Sequence, residues 1–224
     1  MRPRDIFLRA CNEIAVPFLE KGFKTSKKGQ CLKRISKDKD LTFEICLHSS
    51  TYNSSCSVAI YPLITITSKS LKNWVHRETL NINNGGLVFH NHIGYLSPIN
   101  EYKSWNLAGL SYELSVKTII ALLEKYACPI IDLFENRQMA IDFITQHGCC
   151  FNQYTKDSLL ALPYMLMYGD KEQTENYFNH YIQLNKCRNR FLKAYSQLEK
   201  NEVIDCGLDK CFVILAFNQK LTIK

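Results

Sequence analysis

The pattern of apolar residues changes its period near Ser111. Before that residue, apolar and polar side chains alternate in three segments, at 41–47, 58–66 and 87–95. Alternation places every second side chain on one face, so each segment is predicted to be a half-buried antiparallel strand. Pro62 lies in the second segment and predicts an edge strand or a bulge, because proline has no N–H to donate to a neighbouring strand.

Helical and turn patterns precede these strands. Residues 5–21 predict an amphipathic helix that is kinked or interrupted near Pro17 and ends at Gly22. Lys28 and Gly29 lie between two short alternating runs, which is typical of the tip of a hairpin. The chain is therefore predicted to pass from one helix into a hairpin and then into the sheet.

Helical periodicity dominates the second half of the chain. Between the second and third strands, residues 68–80 predict a short helix and residues 81–86 a loop, and from Ser111 onward the period is 3.6. The predicted boundaries there are a stop at Gly148, a cap at Thr155, a stop at Gly169 and a capping box formed by Asp170 and Gln173.

Strands followed by helices are typical of the α+β class, in which helices cover one face of an antiparallel sheet. We expect an α+β domain at residues 1–150, with its N-terminal helix and later helices packed on the sheet. Residues 151–224 are expected to form a helical subdomain or extension.

Composition places the protein among soluble globular chains. It has 224 residues, of which 46% are hydrophobic, and this is too apolar for a disordered chain. Asp5, Arg9 and Glu13 interrupt the apolar run that a signal peptide needs, so the chain is expected to be mature from its first residue. The longest apolar run, at 159–168, is half of the roughly 20 residues that span a bilayer. We interpret it as a buried helix and expect no membrane association.

Ten cysteines are scattered along the chain, mostly within apolar periodic segments, and two of them, Cys149 and Cys150, are adjacent. Such positions suit free, buried thiols, which predicts a cytoplasmic location. Zinc sites usually contain paired CxxC spacings, and Cys206 with Cys211 is an isolated pair of different spacing. No metal or other cofactor is predicted.

The net charge is concentrated in one segment. Residues 21–39, here called the basic segment, contain eight basic residues and one acidic residue, Asp38, whereas the rest of the chain carries equal numbers of both. A localised field of this kind attracts acidic partners. We expect Lys27, Lys28, Lys33 and Arg34 to be exposed.

The opening of the basic segment resembles a family of bacterial cytoplasmic proteins known only as a domain of unknown function. The resemblance covers about the first two thirds of the chain. It is most specific at a glycine, an aromatic residue and a lysine followed by a short basic hairpin, here Gly22, Phe23, Lys24, Lys27, Lys28 and Gly29. Members of this family look like the small immunity proteins that accompany secreted toxins, which implies a binding function without catalytic residues.

Three interpretations of the basic segment remain open. It is a solvated hairpin that protects a sheet edge, a contact for an acidic protein, or a contact for nucleic acid. Only Phe23 interrupts the basic residues, so the aromatic side chains that stack on bases are missing from the segment. The candidate binding residues are Lys24, Lys27, Lys28, Lys33 and Arg34 in the segment, with Trp74 and Trp105 as core or anchor residues elsewhere.

His90 and His92 form a remote candidate for a metal site. They are two residues apart on a predicted strand, so both side chains share a face. If the strands pair in register, Glu44, Cys46 and His48 line the same face. Because polar residues are ordinary on the outer face of a sheet, two histidines there do not define a site.

These observations predict a non-catalytic, cytoplasmic binding protein, and no sequence motif for a nucleophile or a phosphate loop is present. The first hypothesis is an immunity-like protein that neutralises a toxin by binding it. The alternative is a nucleic-acid-associated protein, for example in phage defence. A metal-dependent hydrolase is the remote third option, and the sequence does not predict the oligomeric state.

Overall fold

Six strands form an open antiparallel sheet in the computed structural model, which describes residues 2–77 and 85–224. The strands are β1 (Lys24–Ser26), β2 (Cys31–Ile35), β3 (Leu41–Ser49), β4 (Ala59–Ser68), β5 (Leu87–His92) and β6 (Trp105–Asn106). They are ordered β1-β2-β3-β4-β5, and β6 also pairs with β4. The predicted alternation appears directly in β3 and β4, where every second residue is buried.

Helices account for most of the remaining described residues. They are α1 (Pro3–Leu19), α2 (Lys69–Arg77), α3 (Tyr112–Leu122), α4 (Cys128–Phe134), α5 (Arg137–His147), α6 (Leu162–Tyr168), α7 (Lys171–Leu184), α8 (Arg188–Glu199) and α9 (Lys210–Asn218). One turn of π-helix, Leu123–Ala127, joins α3 to α4. The α+β class is confirmed.

The core of the first unit contains buried side chains from both the sheet and α1. Phe43 and Ile45 on β3 are fully buried, as are Ile14 and Phe18 on α1. Removing a side chain of this size from water contributes about 1.5–3 kcal/mol. Because these residues lie on the faces that the sequence pattern predicts, burial of this core explains the fold of the first half of the chain.

Of the two alternatives predicted at each of Pro17 and Pro62, one is wrong. Helix α1 continues through Pro17 to Leu19, so the proline does not interrupt it. Strand β4 lies inside the sheet, and Pro62 lies just beyond Ala59 and Ile60, the residues that pair with β6. Proline is tolerated there although the strand is not an edge.

The region before α6 also differs from the prediction. Thr155 does not begin a helix, because its hydroxyl donates to Asn152 Oδ1 at 3.0 Å within a turn. A short 3₁₀ turn, Leu159–Ala161, precedes α6. The capping box of Asp170 and Gln173 at the start of α7 is confirmed. The predicted helix at 68–80 is present up to Arg77, and most of the loop predicted at 81–86 lies outside the described residues.

Two cysteines are not free. Cys31 on β2 and Cys46 on β3 are directly opposite each other and form a disulfide, whereas the other eight cysteines are unpaired. The sequence pattern did not reveal this pairing, because the two residues are 15 positions apart. Only the register of β2 and β3 brings them together.

The described chain forms two compact units, each made of two segments. The first contains residues 1–67 and 89–135, and the second contains residues 68–88 and 136–224. The predicted domains at 1–150 and 151–224 stay a prediction. The two compact units do not show which part of the chain folds independently. None of the helices in the described ranges has both the length and the hydrophobicity that a bilayer crossing requires.

Candidate functional site

The hairpin between β1 and β2 presents the basic segment to solvent. Its turn contains three consecutive residues with left-handed backbone, Lys27 (φ 51°), Lys28 (φ 59°) and Gly29 (φ 84°). Left-handed backbone suits glycine and disfavours lysine. Gly29 is buried against Asn12 of α1, where a Cβ would meet the Asn12 side chain. The turn is therefore held against α1 while its two lysines project outward.

Three lysines, Lys24, Lys27 and Lys28, form what we call the hairpin tip. All three are exposed, and none makes an ion pair with another described residue. Lys24 lies on β1, the first strand of the sheet, opposite Lys33 on β2. The hairpin tip is therefore a group of cations that no acidic side chain neutralises among the described residues.

Arg34, in contrast to these lysines, has ion-pair partners. Its guanidinium lies 2.9 Å from Asp132 Oδ1 and 3.2 Å from Glu135 Oε1, and it lies over the rings of Phe23 and Phe43. Only 16% of this side chain is exposed. The expectation that Arg34 is exposed is wrong, because the side chain packs against Phe23 and Phe43 and forms ion pairs with Asp132 and Glu135.

Two further cations of the segment have acidic neighbours. Lys21 Nζ lies 3.4 Å from Glu124 Oε1, and Lys33 Nζ lies 3.7 Å from Glu44 Oε1. Lys37 and Lys39 are exposed but lie in the turn at the other end of β2. That end is roughly 13 Å along the strand from the position of Lys24, which pairs with Lys33, and farther from Lys27 and Lys28, at about 3.3 Å per residue.

A shallow groove of about 330 Å³ follows β1 and β2. Lys24 and Lys33 line it together with Ser26 and Ile35. Ile35 is 56% exposed, which is unusual for a large apolar residue in a strand. The groove combines cations with a small apolar contact area.

Aromatic side chains lie on the outer face of the sheet beside the hairpin. His48 stacks on Tyr61 with ring centroids 5.6 Å apart, Tyr61 lies 5.5 Å from Tyr102, and His92 lies 4.6 Å from Tyr102. We call these four residues the aromatic group. Tyr102 is 53% exposed, so the group is accessible at this position.

Electrostatics connect the aromatic group to the hairpin tip. Partial burial lowers the pKa of His48, and the charges of Lys27 and His90 lower it further. The Leu47 N–H donates to the Gln30 carbonyl at 2.7 Å, so His48, the next residue of β3, lies beside the turn that carries Lys27 and Lys28. The hairpin tip and the aromatic group therefore form one surface, which sequence reasoning missed because the residues come from different strands. Alternation had indicated only that His48 points outward.

The two tryptophans have different environments. Trp105 lies on β6 opposite Ile60, is 8% exposed, and stacks with His92 at 6.4 Å. It is packed in the core and cannot serve as a surface anchor. Trp74 lies on α2 and is half-buried.

The histidines on β5 are held by local hydrogen bonds. His90 Nδ1 lies 3.0 Å from the Thr65 hydroxyl, and His92 Nδ1 accepts from the Gly94 N–H at 2.9 Å. Burial lowers the pKa of His92, so the neutral ring is favoured. Within the described residues, His90 and His92 belong to no group of three potential metal ligands. Cys31, Glu44 and Cys46 do converge on the same face, but the disulfide uses both sulfur atoms.

The fold and this surface define an α+β protein with a basic, partly aromatic sheet face. The chain belongs to the family described as Domain of unknown function (DUF4304), whose sequence model matches residues 14–133. No curated protein and no solved structure shows a significant match to the chain. The matched region contains the hairpin tip and the aromatic group.

Proposed function

We propose that this protein is a non-catalytic binding protein whose hairpin tip contacts an acidic surface on a protein partner. The observation that carries the proposal is the division of charge within the basic segment. Lys21, Lys33 and Arg34 have acidic neighbours, whereas the hairpin tip has none among the described residues. Uncompensated surface charge favours complementary partners and accelerates association.

The spacing of the charges favours a protein over a nucleic acid as the partner. A duplex or single strand presents a regular line of phosphates, and strong binding needs several cations along it. The hairpin tip offers three lysines, and Lys37 and Lys39 lie at the opposite end of β2. A compact set of carboxylates on a protein surface matches this arrangement better.

The same face supplies the other components of a protein interface. Interfaces of standard size bury about 1,600 Å² and depend on a few aromatic anchors surrounded by polar contacts. Tyr61 and Tyr102 take the anchoring role that the sequence assigned to Trp105, and Ile35 adds apolar area in the groove. The resemblance to immunity proteins suggests a toxin as the partner, with an acidic surface at its contact site.

A cytoplasmic location is part of this proposal. The eight unpaired cysteines support it, because free thiols are usual in a reducing compartment. The Cys31–Cys46 disulfide opposes it. Alkylation shows whether Cys31 and Cys46 are reduced in the cell. The protein is isolated under acid quench, denatured without reduction and then labelled. Ten labelled thiols support a cytoplasmic location, and eight contradict it.

Single-stranded nucleic acid is the second candidate, and the aromatic group specifically favours it. Exposed aromatic rings beside cations stack on bases in many sheet-face binders. In this case the three lysines of the hairpin tip would neutralise about three phosphates, so the logarithm of the affinity should fall with the logarithm of the salt concentration at a slope near −2.

Two probes of equal length separate the candidates: a ten-residue polyglutamate peptide and a ten-nucleotide oligothymidylate. Nuclear magnetic resonance of isotope-labelled protein reports which amides each probe perturbs at physiological salt. We expect the peptide to shift the signals of Lys24, Lys27 and Lys28. Tighter binding of the oligonucleotide, with shifts at Tyr61 and Tyr102, would transfer the proposal to nucleic acid. A secreted toxin encoded beside this gene and bound by the purified protein would establish the immunity role.

A further inference from the structure

The loop that follows α5 in the second unit encloses a carboxylate. Gly148 ends α5 with a backbone conformation (φ 61°, ψ −151°) that is almost exclusive to glycine. A Cβ at this position would lie 2.6 Å from the Asp157 carboxylate oxygens, well inside contact distance. Glycine is therefore required both by the backbone and by the carboxylate that packs against it.

Asp157 is only half satisfied in this position. Its side chain is 0% exposed. Oδ1 accepts hydrogen bonds from the Cys149 N–H at 2.6 Å and the Ser158 N–H at 2.9 Å. Oδ2 is buried and has no hydrogen-bond partner among the described residues. Buried polar atoms are almost always paired, so an unpartnered carboxylate oxygen needs an explanation.

Two metal-binding side chains face this oxygen. His180 of α7 places Nε2 4.0 Å from Asp157 Oδ2. Donor atoms of Cys150, Asp157 and His180 all lie within 4.8 Å of one another. Cys150 and His180 are half-buried, so their side chains can rotate towards a common centre without disturbing the core.

We propose that Cys150, Asp157 and His180 form a binding site for a zinc ion. Zinc accepts thiolate, imidazole and carboxylate ligands at about 2.0–2.3 Å, which places tetrahedral donor atoms about 3.3–3.6 Å apart. Donor atoms up to 4.8 Å apart need to approach by at most about 1.5 Å to reach this geometry. The ion would supply the missing partner of Asp157 Oδ2 and would connect the 149–158 loop to α7.

The geometry favours a metal over a catalytic relay of the same residue types. In a relay, histidine lies between the nucleophile and the carboxylate and uses a different ring nitrogen for each. Here the three donor atoms converge on one another. His180 also lines a cleft of about 560 Å³ within the second unit, together with Asn179 and Arg188, so this ligand is accessible from solvent.

Cys149, the neighbouring cysteine, is not a ligand. Its thiol is buried and lies 3.6 Å from the Tyr177 hydroxyl, and burial raises its pKa to about 12. Cys149 is also absent from the group of donor atoms that converge with Asp157 and His180. The adjacent cysteines therefore have different roles, one in the core and one in the site.

Titration of the reduced, full-length protein with zinc, in competition with a chromophoric chelator, tests the site. We expect one zinc ion per chain and at least a tenfold loss of affinity in both Cys150→Ser and His180→Gln. Cobalt substitution provides a second measurement, because a thiolate ligand gives a charge-transfer band that Cys150→Ser should abolish. Cys211→Ser, which changes a half-buried thiol outside the cluster, is the matched control.

The site would be refuted by zinc binding that Cys150→Ser and His180→Gln leave unchanged, or by the absence of stoichiometric binding in wild type. Equal weakening in Cys211→Ser would show adventitious binding to scattered thiols and would also refute it. Because the Cys150 and His180 side chains are half-buried, their variants are expected to fold, and circular dichroism of each variant verifies this before titration. The test does not involve the hairpin tip and is therefore independent of the proposed function.

Discussion

The two ends of β2 show how similar residues acquire different roles. At Arg34 the cation points to the inner side of the sheet, where Asp132, Glu135 and two phenylalanine rings receive it. At Lys27 and Lys28 the cations lie in a turn with left-handed backbone and face solvent. Charge in the sequence is the same at both places, and only the fold distinguishes a structural cation from one available to a partner.

The difference also concerns free energy. A cation with partners in a partly buried site stabilises the folded state, and its removal leaves carboxylates without their partner. Exposed cations contribute little to stability, and substitutions there usually change it by less than about 0.5 kcal/mol. Mutations at the two ends of β2 should therefore separate stability from binding.

The largest effect is expected for Arg34→Gln. The substitution removes two ion pairs and the packing against Phe23 and Phe43, which should lower the free energy of unfolding by about 2–3 kcal/mol. Urea unfolding followed by circular dichroism measures this change. Lys33→Gln, whose side chain is more exposed and makes one longer ion pair, is the control. A loss at Arg34 no larger than that at Lys33 would contradict a structural role.

A smaller effect of opposite sign is expected for Lys28→Gly. Lysine at φ 59° is strained by about 1 kcal/mol, and glycine relieves this strain while it increases the entropy of the unfolded chain. We expect a net stabilisation of about 0.5 kcal/mol. Lys24→Gly, in the extended strand β1, should instead destabilise the protein by about 0.5–1 kcal/mol. Destabilisation by both substitutions would mean that Lys28 supports the hairpin and is not strained in it.

The smallest effect concerns the contact between the hairpin tip and the aromatic group. Lys27→Gln should raise the pKa of His48, because a positive neighbour that disfavours the imidazolium is removed. The pKa of His48 is lower in the folded state than in the unfolded state. The contribution of His48 to the free energy of unfolding is therefore fully present above the unfolded-state pKa and is lost as the pH falls through the folded-state pKa. Nuclear magnetic resonance titration of His48 measures the shift. Lys37→Gln, the control, should leave the pKa of His48 unchanged. An unchanged pKa in Lys27→Gln would contradict the conclusion that the hairpin tip and the aromatic group form one surface.

Local patterns were sufficient to predict the hairpin, the alternating strands and the capping box at α7. Each of these depends on residues close together in sequence. The edge position predicted from Pro62 was wrong because the position of a strand within a sheet depends on distant pairing. Thr155 was misinterpreted because its hydroxyl and its N–H both donate to the Asn152 side chain in the preceding turn.

The candidate sites were harder to predict because they join distant residues. Arg34 was assigned to the surface since its partners lie about a hundred positions later in the chain, in and just after α4. The aromatic group needs the register of separate strands, and the proposed zinc ligands come from a loop and a helix. The pair Cys149 and Cys150 attracted attention in the sequence, but no spacing rule connected it to His180.

The most direct test of the account is the affinity of two charge-matched double variants for the labelled polyglutamate peptide at physiological salt. Lys27→Gln/Lys28→Gln removes charge at the hairpin tip, and Lys37→Gln/Lys39→Gln removes the same charge at the other end of β2. Fluorescence polarisation should show at least a tenfold loss, about 1.4 kcal/mol, in the first variant and less than about a threefold loss, about 0.6 kcal/mol, in the second. Equal losses in both would show that net charge alone attracts the peptide, which would contradict a specific role for the hairpin tip.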